Sequence, residues 1–494
     1  MSLPALPPNS PTELEQAREV MRLQQLRIDE LEKKAARVDE LEAQVEELSR
    51  QLAELLDKQG STSRNSSKPP SSDSPEQRSQ RPKRKPGSRN RGGQPGHTRH
   101  QRALYPPEQV NQVEQYFPES RCDCGGEVVI DWDSPYRHQI FDIPPPEIDV
   151  TEHQFYHGTC TCCQRHHASQ WPDWVPTGQM GAGLIGWIVI FSGQFRLSIR
   201  QIQSLLLELW RLPFSTGAIS NAQGKATPWL GELSRQVGEY IRQQPVAHAD
   251  ETRHYRGSQT YWLWALTSGP LTYFMTHYSR GKQAAAQLLG SFKGYLVTDH
   301  FSGYTGVPAE RRQLCWAHLI RHFRKIAARR GEAGKTGQRL LLIALCIFRT
   351  RHHYQHHPDQ QQRYQRRMQR LRRSFQATLR RGGELDEATC KRTHNQCLHL
   401  LKDEGMCRTF LKDDRIPLTN NLAERVIRPY VLWRKTSLAT QSARGDQFRP
   451  VALTVLGTAR QLGMGLGEMM RDICAAGLMN KTIPVRFQFD DKTS

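Results

Sequence analysis

Three acidic residues carry the strongest chemical signal in the sequence. Asp250 ends the apolar run PVAHA, Asp299 ends GYLVT, and Glu424 lies in TNNLAERVIRP. Carboxylates that share one site repel each other, and one of them takes up a proton unless divalent cations neutralise the group. Carboxylate oxygens suit Mg²⁺ or Mn²⁺, and two such ions in one site support in-line displacement at a phosphoryl group. The acids therefore predict phosphoryl-transfer chemistry, provided that the fold brings them together.

Residues 244–330 contain the elements that must position the first two acids. PVAHADET predicts a buried strand, TYWLWALT and LTYFMTHY a hairpin, KQAAAQLLGSF a helix, GYLVTD a strand and CWAHLIRHFRKIAAR a helix. This βββαβα order predicts an α/β fold with ribonuclease-H-like topology, in which the first and fourth strands are adjacent and parallel. Asp250 and Asp299 then lie side by side. Glu251 is a rival for the site, but neighbours on a strand point to opposite faces.

The third acid needs a helix to carry it into the same site. Asn420 or Asn421 can cap such a helix, which places Glu424 in its first turns and Arg428 one turn later. Glu424 and Arg428 would share one face, so the helix could offer a carboxylate to a metal and a guanidinium to a phosphate. An ordinary surface ion pair is the alternative. Residues 413–494 are expected to complete the core with this acid and C-terminal helices.

A helical insertion is predicted between the second and third acids, at residues 331–412. Apolar residues recur there at helical intervals, at Tyr364, Met368, Leu371, Phe375 and Leu379. Arginines occupy the rest of the same helix, at Arg363, Arg366, Arg367, Arg370, Arg372, Arg373, Arg380 and Arg381. Such a helix could pack on the core and place guanidinium groups on DNA phosphates, or it could present a solvated face.

Residues 105–175 predict a zinc-ribbon-like module. Five of the 11 cysteines cluster in this segment, and turns that carry cysteine pairs can place four thiolates around Zn²⁺. The expected ligands are Cys122, Cys124, Cys160 and Cys163. The first pair is irregular because one residue separates its cysteines, so Cys162, His166 or His167 could substitute.

The N-terminal residues 1–58 predict a coiled coil. Apolar residues repeat every seven positions, and a second apolar set is offset from the first by three, at Leu31, Val38, Val45 and Leu52 and at Leu41, Leu48 and Leu55. We expect a homo-oligomer formed through residues 18–58. The alternative is an amphipathic helix that packs on its own chain.

A basic linker follows at residues 59–104. It is poor in apolar residues and rich in Ser, Pro, Gly and Arg, which is typical of a chain that is disordered when free. Its cations can neutralise DNA phosphates, and those expected to do so are Arg81, Lys83, Arg84, Lys85, Arg89 and Arg91. A solvated basic tether is the alternative.

The composition of the whole chain indicates a polyanionic partner. Lys and Arg number 69 against 49 Asp and Glu, a net charge of +20, which favours nucleic acid over a membrane. Residues 176–243 predict a helical DNA-binding segment, in which PFSTGAISNAQGKA joins either a helix-turn-helix or two packed helices. The apolar runs are too short for a membrane span, and MSLPALPPNS lacks signal-peptide features, so we expect a cytoplasmic location.

The motifs HADET, LVTDHFSGY, CWAHLIRHF and NNLAERVIRP followed by WRK resemble the insertion-sequence 66 family of DDE transposases. The resemblance extends to the N-terminal coil, the NSSKPPSSD and RGGQPGH linker and the Cys-rich module. Asp250, Asp299 and Glu424 match the family's three acids. The first Cys pair is closer than the family's Cys-x-x-Cys, and the residues after WRK lack its common Asn-Trp continuation.

The resemblance implies a bacterial transposase that cleaves the ends of its element and joins the freed 3′-hydroxyl to target DNA with Mg²⁺ or Mn²⁺. Its partners would be double-stranded DNA and possible helper proteins, and its location nucleoid-associated. Arg434 and Lys435 in WRK are expected to contact DNA, and Cys315 and His318 to support the acids, with Cys315 buried. A catalytically inactive DNA-binding accessory protein and a cellular ribonuclease-H-like nuclease are the alternatives.

Overall fold

The computed structural model describes residues 21–22, 37, 103–133, 135–143, 147–437 and 440–489. The chain divides into two compact units. The larger contains the described parts of residues 82–317 and 346–489, and the smaller includes residues 318–345. The predicted coiled coil and basic linker lie almost entirely outside the described residues.

The segment that carries the clustered cysteines has little regular structure and is mostly exposed. Its two short strands, β1 (His157–Thr159) and β2 (His166–Ala168), pair in an antiparallel hairpin. The turn of this hairpin carries Cys160, Cys162 and Cys163. A hairpin turn is where a cysteine knuckle is expected in a small metal-binding module.

Three helices follow, α1 (Ala182–Gly193), α2 (Ile199–Trp210) and α3 (Thr216–Arg242). Ser198 opens α2 through a capping box with Gln201, and the Ser215 hydroxyl accepts a hydrogen bond from the amide of Ala218 at the start of α3. The predicted helical character of this segment is confirmed. One face of α3 is buried along its whole length, so the helix contributes directly to the core.

A five-stranded mixed sheet lies in the larger unit. Its strands are β3 (Val246–Arg256), β4 (Gln259–Ser268), β5 (Leu271–His277), β6 (Tyr295–Thr298) and β7 (Arg312–Leu314), with α4 (Lys282–Leu289) between β5 and β6. The spatial order is β5-β4-β3-β6-β7. Strand β3 is antiparallel to β4 and parallel to β6, and β6 is parallel to β7.

The sheet confirms the predicted order of strands, hairpin and helix, and the parallel pairing of the first and fourth strands. Strand β7 is the element that the sequence pattern does not predict. Its three residues, RQL, are too few to show the alternation that identifies a strand. The strand forms because β6 offers a free edge, and Arg312 is buried there with its guanidinium bonded to Thr298 and to the carbonyls of Asp299 and Phe301.

The predicted insertion is helical. After α5 (Trp316–Ala327) it contains α6 (Gly331–His356), α7 (Gln361–Gly383) and α8 (Glu387–Lys402). Helix α7 buries four of its five predicted apolar residues, and Leu371 is half-buried. All eight predicted arginines of α7 are exposed. The amphipathic pattern of this helix is therefore confirmed.

Three C-terminal helices complete the larger unit, α9 (Asn421–Ser437), α10 (Ala443–Gln461) and α11 (Leu466–Leu478). They join α1, α3 and the sheet in one hydrophobic core. Helices pack closely there because glycine faces the neighbour: a Cβ at Gly477 would lie 2.3 Å from the Trp229 ring. No helix among the described residues is long and apolar enough to cross a bilayer.

Candidate active site

Asp250 and Asp299 come together through the register of two parallel strands. Val246 on β3 faces Tyr295 on β6, and His248 faces Val297. Continued by two residues, the same register sets Asp250 against Asp299, which directly follows β6. Paired strands are about 4.8 Å apart, and residues in register point to the same face of a sheet. The two carboxylates therefore share one face at the end of the sheet.

Asn420 attaches the helix of the third acid to this same place. The residue is buried and immediately precedes α9, where its carbonyl accepts a hydrogen bond from the amide of Glu424 at 3.2 Å. Its side-chain Nδ2 donates to the carbonyl of Ala249 at 2.9 Å, and its Oδ1 bonds with His248 Nδ1 at 3.0 Å. The first turn of α9, with Glu424, is thus held against β3, the strand that contains Asp250.

The electrostatics of Asp250 reflect this crowding. Burial raises the pKa of Asp250 well above its usual range, and the charges of Glu251, Asp299 and Glu424 raise it further. The amide of Glu251 donates to Asp250 Oδ1 at 2.9 Å and lowers the pKa, but this bond does not offset the other effects. Three carboxylates therefore lie within electrostatic reach of Asp250, and their charges disfavour its ionisation.

Glu251 is engaged by two neighbours and is set apart from the other acids. Its buried Oε1 accepts from the Arg280 guanidinium at 2.8 Å, and its Oε2 accepts from the Tyr304 hydroxyl at 2.8 Å. Burial and the charge of Asp299 raise the pKa of Glu251, while the bonds from Arg280 and Tyr304 lower it. Glu251 therefore anchors the loop that follows β6, and both of its oxygens are occupied by donors.

Comparison with known proteins identifies the family. The family model described as "Transposase IS66 family" matches residues 177–447, which is more than half of the chain and includes all three acids. The chain belongs to the IS66 transposase family. A second model, described as a family of unknown function (DUF6444), matches residues 18–103.

Two proteins of Sinorhizobium fredii (strain NBRC 101917 / NGR234) are similar to part of the chain. "Uncharacterized protein y4qI" is 25% identical over 269 residues, which cover 48% of this chain and 50% of that protein. "Uncharacterized protein y4jD" is 23% identical over 269 residues, which cover 50% of this chain and 52% of that protein. The chain therefore spans about half the length of these curated relatives.

The cationic residues predicted near the acids of this IS66 transposase have different surroundings. Arg428 and Lys435 are exposed on α9. Arg434 instead donates to the carbonyl of Arg253 and, at 3.4 Å, to Thr252 Oγ1, both on β3. It thus joins α9 to the central strand. The predicted DNA-binding residues between Arg81 and Arg91 lie outside the described residues.

Cys315 is buried, as expected, and its hydrogen bonds connect the end of β6, beside Asp299, with Asn420 at the start of α9. Its amide donates to the carbonyl of Thr298, beside Asp299, and its Sγ accepts from the amide of Asn420 at 3.1 Å. The neighbouring Trp316 is also buried, and its indole donates to the carbonyl of Cys407. His318 belongs to the smaller compact unit, so its role beside the acids stays a prediction.

The cysteines of the Cys-rich segment form two knuckles. In the first, the amide of Gly125 donates to the carbonyl of Cys122, and hydrogen bonds from the backbone of Gly126 and, to a smaller extent, with the Cys122 side chain lower the pKa of Cys124. In the second, hydrogen bonds from the backbone and side chain of Cys163 and the backbone of Cys162 lower the pKa of Cys160. Among the described residues, no group of three or more ligands combines these knuckles.

A buried polar network beyond the acids was not apparent from the sequence. His254 on β3 bonds with the Tyr430 hydroxyl on α9 and, through Nε2 at 2.7 Å, with Asp446 Oδ1 on α10. Burial lowers the pKa of His254 despite the Asp446 carboxylate. The signal was hidden because the three residues are far apart in sequence and each has an ordinary local context. The network fixes α9 and α10 to β3, the strand of Asp250.

Proposed function

We propose that this transposase is a metal-dependent DNA nuclease and strand-transferase that uses Asp250, Asp299 and Glu424 as its catalytic acids. The observation that carries the proposal is the parallel register that sets Asp250 against Asp299, together with the Asn420 bonds that hold the start of α9 beside them. The reaction is cleavage at the DNA ends of a bacterial insertion sequence, followed by transfer of the freed 3′-hydroxyl to target DNA.

We infer that the catalytic core is ribonuclease-H-like. The support is the sheet order β5-β4-β3-β6-β7, in which three antiparallel strands precede two parallel ones. Helix α4 makes the crossover between β5 and β6, as a parallel connection requires. Along the chain, the insertion helices α6–α8 come after β7 and before α9, the helix of the third acid.

The donor set fits divalent metal ions. Three carboxylates crowd a site in which the pKa of Asp250 is raised, and carboxylate oxygens are the ligands that Mg²⁺ and Mn²⁺ prefer. We propose that Asp250, Asp299 and Glu424 hold two such ions. When bound, the ions would neutralise the carboxylates, activate the attacking oxygen and stabilise the leaving oxygen at the phosphorus.

The surrounding residues position the acids. The amide of Phe301 donates to Asp299 Oδ1 at 3.0 Å, which orients this carboxylate. Glu251 fixes the same loop through Tyr304 and Arg280. Asn420 orients Glu424 through the backbone. The chain therefore supplies a set of carboxylates whose directions are fixed before DNA arrives, which is how an active site limits reorganisation during the reaction.

DNA contact is proposed for two exposed basic surfaces, the arginine face of α7 and the pair Arg428 and Lys435 on α9. It is also proposed for the linker cations, which lie outside the described residues: Arg81, Lys83, Arg84, Lys85, Arg89 and Arg91. The net charge of +20 supports this assignment, since phosphate neutralisation supplies most sequence-independent affinity for DNA. Double-stranded DNA, both element ends and target, is the proposed partner, and residues 18–58 are the proposed site of homo-oligomerisation.

Zn²⁺ is proposed for the Cys-rich segment. Lowered pKa values at Cys124 and Cys160 favour the thiolate, which is the form that binds metal. We propose Cys122, Cys124, Cys160 and Cys163 as ligands, and metal binding would then draw the two knuckles together.

The decisive experiment compares Asp299→Asn with wild type on candidate element ends in Mg²⁺. We expect the variant to bind DNA with nearly unchanged affinity and to lose nicking and joining, because it removes a metal ligand and leaves the basic surfaces intact. Asp359→Asn, which changes an exposed acid between α6 and α7, is the matched control and should retain both activities. Cleavage by Asp299→Asn would exclude the catalytic assignment, and no cleavage by wild type would favour an inactive accessory protein.

A further inference from the structure

A second group of metal-binding side chains lies in the larger unit, apart from the three acids. His300, His399 and Asp403 each offer one ligand atom, and these atoms all lie within 4.8 Å of one another. His300 follows Asp299 in the loop after β6, whereas His399 is near the end of α8 and Asp403 directly follows that helix. Two imidazoles and a carboxylate form a donor set that differs in kind from the acid site.

We propose that His300, His399 and Asp403 form a binding site for a first-row transition-metal ion, with Zn²⁺ the best match, separate from the Mg²⁺ or Mn²⁺ of the acid site. Imidazole nitrogen favours zinc and its neighbours over Mg²⁺. Three protein ligands with one open position are a common arrangement for zinc outside purely structural sites.

The present geometry is close to what coordination requires. His300 Nε2 and Asp403 Oδ2 are 2.6 Å apart, and the rings of His300 and His399 have centroids 4.6 Å apart. Zinc bonds of about 2.0–2.2 Å place tetrahedral ligands roughly 3.3–3.6 Å from one another, so the rings need to shift by only about an ångström. His399 and Asp403 are four residues apart, which is the spacing that puts two side chains on one face of a helix.

Access and charge also favour the site. His399 is exposed, and the side chains of His300 and Asp403 keep 18% and 24% of their surface accessible, so an ion can enter from solvent. Arg312 lies within electrostatic reach of His300 and Asp403, but its guanidinium bonds to Thr298 and to the carbonyls of Asp299 and Phe301. The Asp403 carboxylate is therefore available to the metal.

Occupation of the site would join the insertion to the catalytic loop. Asp403 and His399 belong to the end of α8, and His300 is one residue from the proposed catalytic acid Asp299. A bound ion would hold these two segments together more firmly than the single His300–Asp403 hydrogen bond does. Other histidine pairs in the larger unit, His352 with His356 and His353 with His357, bring only two rings together.

The test is histidine footprinting of the full-length protein, which resolves one site from another. Diethylpyrocarbonate labels accessible imidazoles, and peptide mass spectrometry reads the labelling of each histidine as Zn²⁺ is added in the presence of excess Mg²⁺. We expect zinc to abolish labelling of His399 while His394, on the same helix, continues to react. In Asp403→Asn, protection of His399 should require at least about tenfold more zinc, since changes even outside the ligand shell cost that much.

His356→Ala is the control, because it removes an exposed histidine that is also part of an i, i+4 pair; it should leave the protection of His399 unchanged. His399→Ala, with His300 as the reporter, provides a second variant if Asp403→Asn folds poorly. Labelling of His399 that zinc does not change, or protection that is equal in wild type and Asp403→Asn, would overturn the proposal. The assay uses no DNA and no cleavage, so its result is independent of the proposed transposition chemistry.

Discussion

Asn420 connects the start of the helix that carries the third acid with the strand of the first. Its side-chain Oδ1 bonds with His248 Nδ1, and its side-chain Nδ2 donates to the carbonyl of Ala249. Its backbone amide donates to the Sγ atom of Cys315. A buried amide that serves two partners at once cannot be replaced by a shorter side chain without leaving those partners unsatisfied. The position of Glu424 therefore depends on a residue that takes no part in the chemistry.

We predict that Asn420→Ala lowers the free energy of unfolding by about 1–3 kcal/mol, the usual cost of leaving buried polar groups without partners. Urea denaturation measures this change. Cleavage of element ends should fall while DNA affinity is retained, because the basic surfaces are untouched. Asn395→Ala, at an exposed position on α8, is the control and should change stability by less than about 0.5 kcal/mol. Equal stability of Asn420→Ala and wild type would contradict the assigned role.

From the burial of Asp250 we predict that the metal-free protein becomes less stable as the pH rises from about 4 towards neutrality. Burial and neighbouring carboxylates raise the pKa of Asp250 in the folded protein. Ionisation is then easier in the unfolded chain, so the metal-free protein loses stability as the pH rises above about 4, the ordinary value for Asp. Asp250→Asn removes this loss. In the presence of a chelator we expect the variant to be more stable than wild type at neutral pH, with the difference shrinking towards pH 4.

Urea denaturation between pH 4 and 8, with chelator or with Mg²⁺, tests this expectation. Mg²⁺ should stabilise wild type and have much less effect on Asp250→Asn. The exposed Asp133→Asn is the control and should follow wild type throughout. A difference between wild type and Asp250→Asn that does not vary with pH would argue against ionisation as the cause.

At the residue level, the sequence predicts the neighbouring positions of Asp250 and Asp299 but not the residues that support them. Each of these acids follows an apolar run, and the order of elements predicts that the two runs pair as parallel strands. The bonds of Arg280 and Tyr304 with Glu251 could not be foreseen, since they depend on how the loops fold over the sheet. Arg434 is similar: its type and position favour a phosphate contact, whereas in the structure it bonds to β3.

At the level of elements, the length of a segment decided whether it could be predicted. The helices of the insertion and the strands β3, β4 and β5 show their periods over seven residues or more. Strand β7 has three residues, and its formation depends on the free edge of β6, which is a tertiary property. Helix α7 shows the opposite case, since its apolar stripe and its arginine face were both readable in the sequence.

The arginine face of α7 gives a prediction of its own. In Arg366→Gln combined with Arg370→Gln, two exposed charges are removed from the face while the buried stripe is kept. We expect weaker binding to DNA of any sequence, and a salt dependence whose slope falls by about 0.9 for each phosphate that the variant no longer neutralises. Binding isotherms at several salt concentrations measure both quantities.

The matched control for this pair is Lys481→Gln combined with Arg486→Gln, which removes the same net charge from exposed positions after α11, outside the proposed DNA-binding surfaces. It should lower affinity only slightly and leave the slope nearly unchanged. If both double variants weaken binding to the same extent, overall charge and not the α7 face is responsible.

At the scale of the whole molecule, the chain is modular. The transposase family model covers residues 177–447, and a different family model covers residues 18–103. The two models do not overlap, and the hydrophobic core of the larger unit draws on residues from Ile185 to Phe487. Residues 1–58 lie outside the transposase family match, so we infer their task from the sequence pattern.

The heptad pattern indicates that this task is self-association. Leucine and valine at the two repeating positions between Leu31 and Leu55 would form one apolar seam, a pattern that is typical of a parallel dimer. We predict that deletion of residues 1–58 lowers the number of subunits per particle, which light scattering gives from the mass in solution. Circular dichroism of the remaining chain should keep its helical signal.

Leu41→Lys combined with Leu48→Lys should lower the number of subunits in the same way in the full-length protein, because charges within the seam oppose pairing. Glu40→Lys with Glu47→Lys, beside the seam, is the control and should preserve the mass. If the mass stays the same after deletion and in the seam variant, residues 18–58 pack on their own chain instead, and any joining of two element ends depends on contacts made by the rest of the protein.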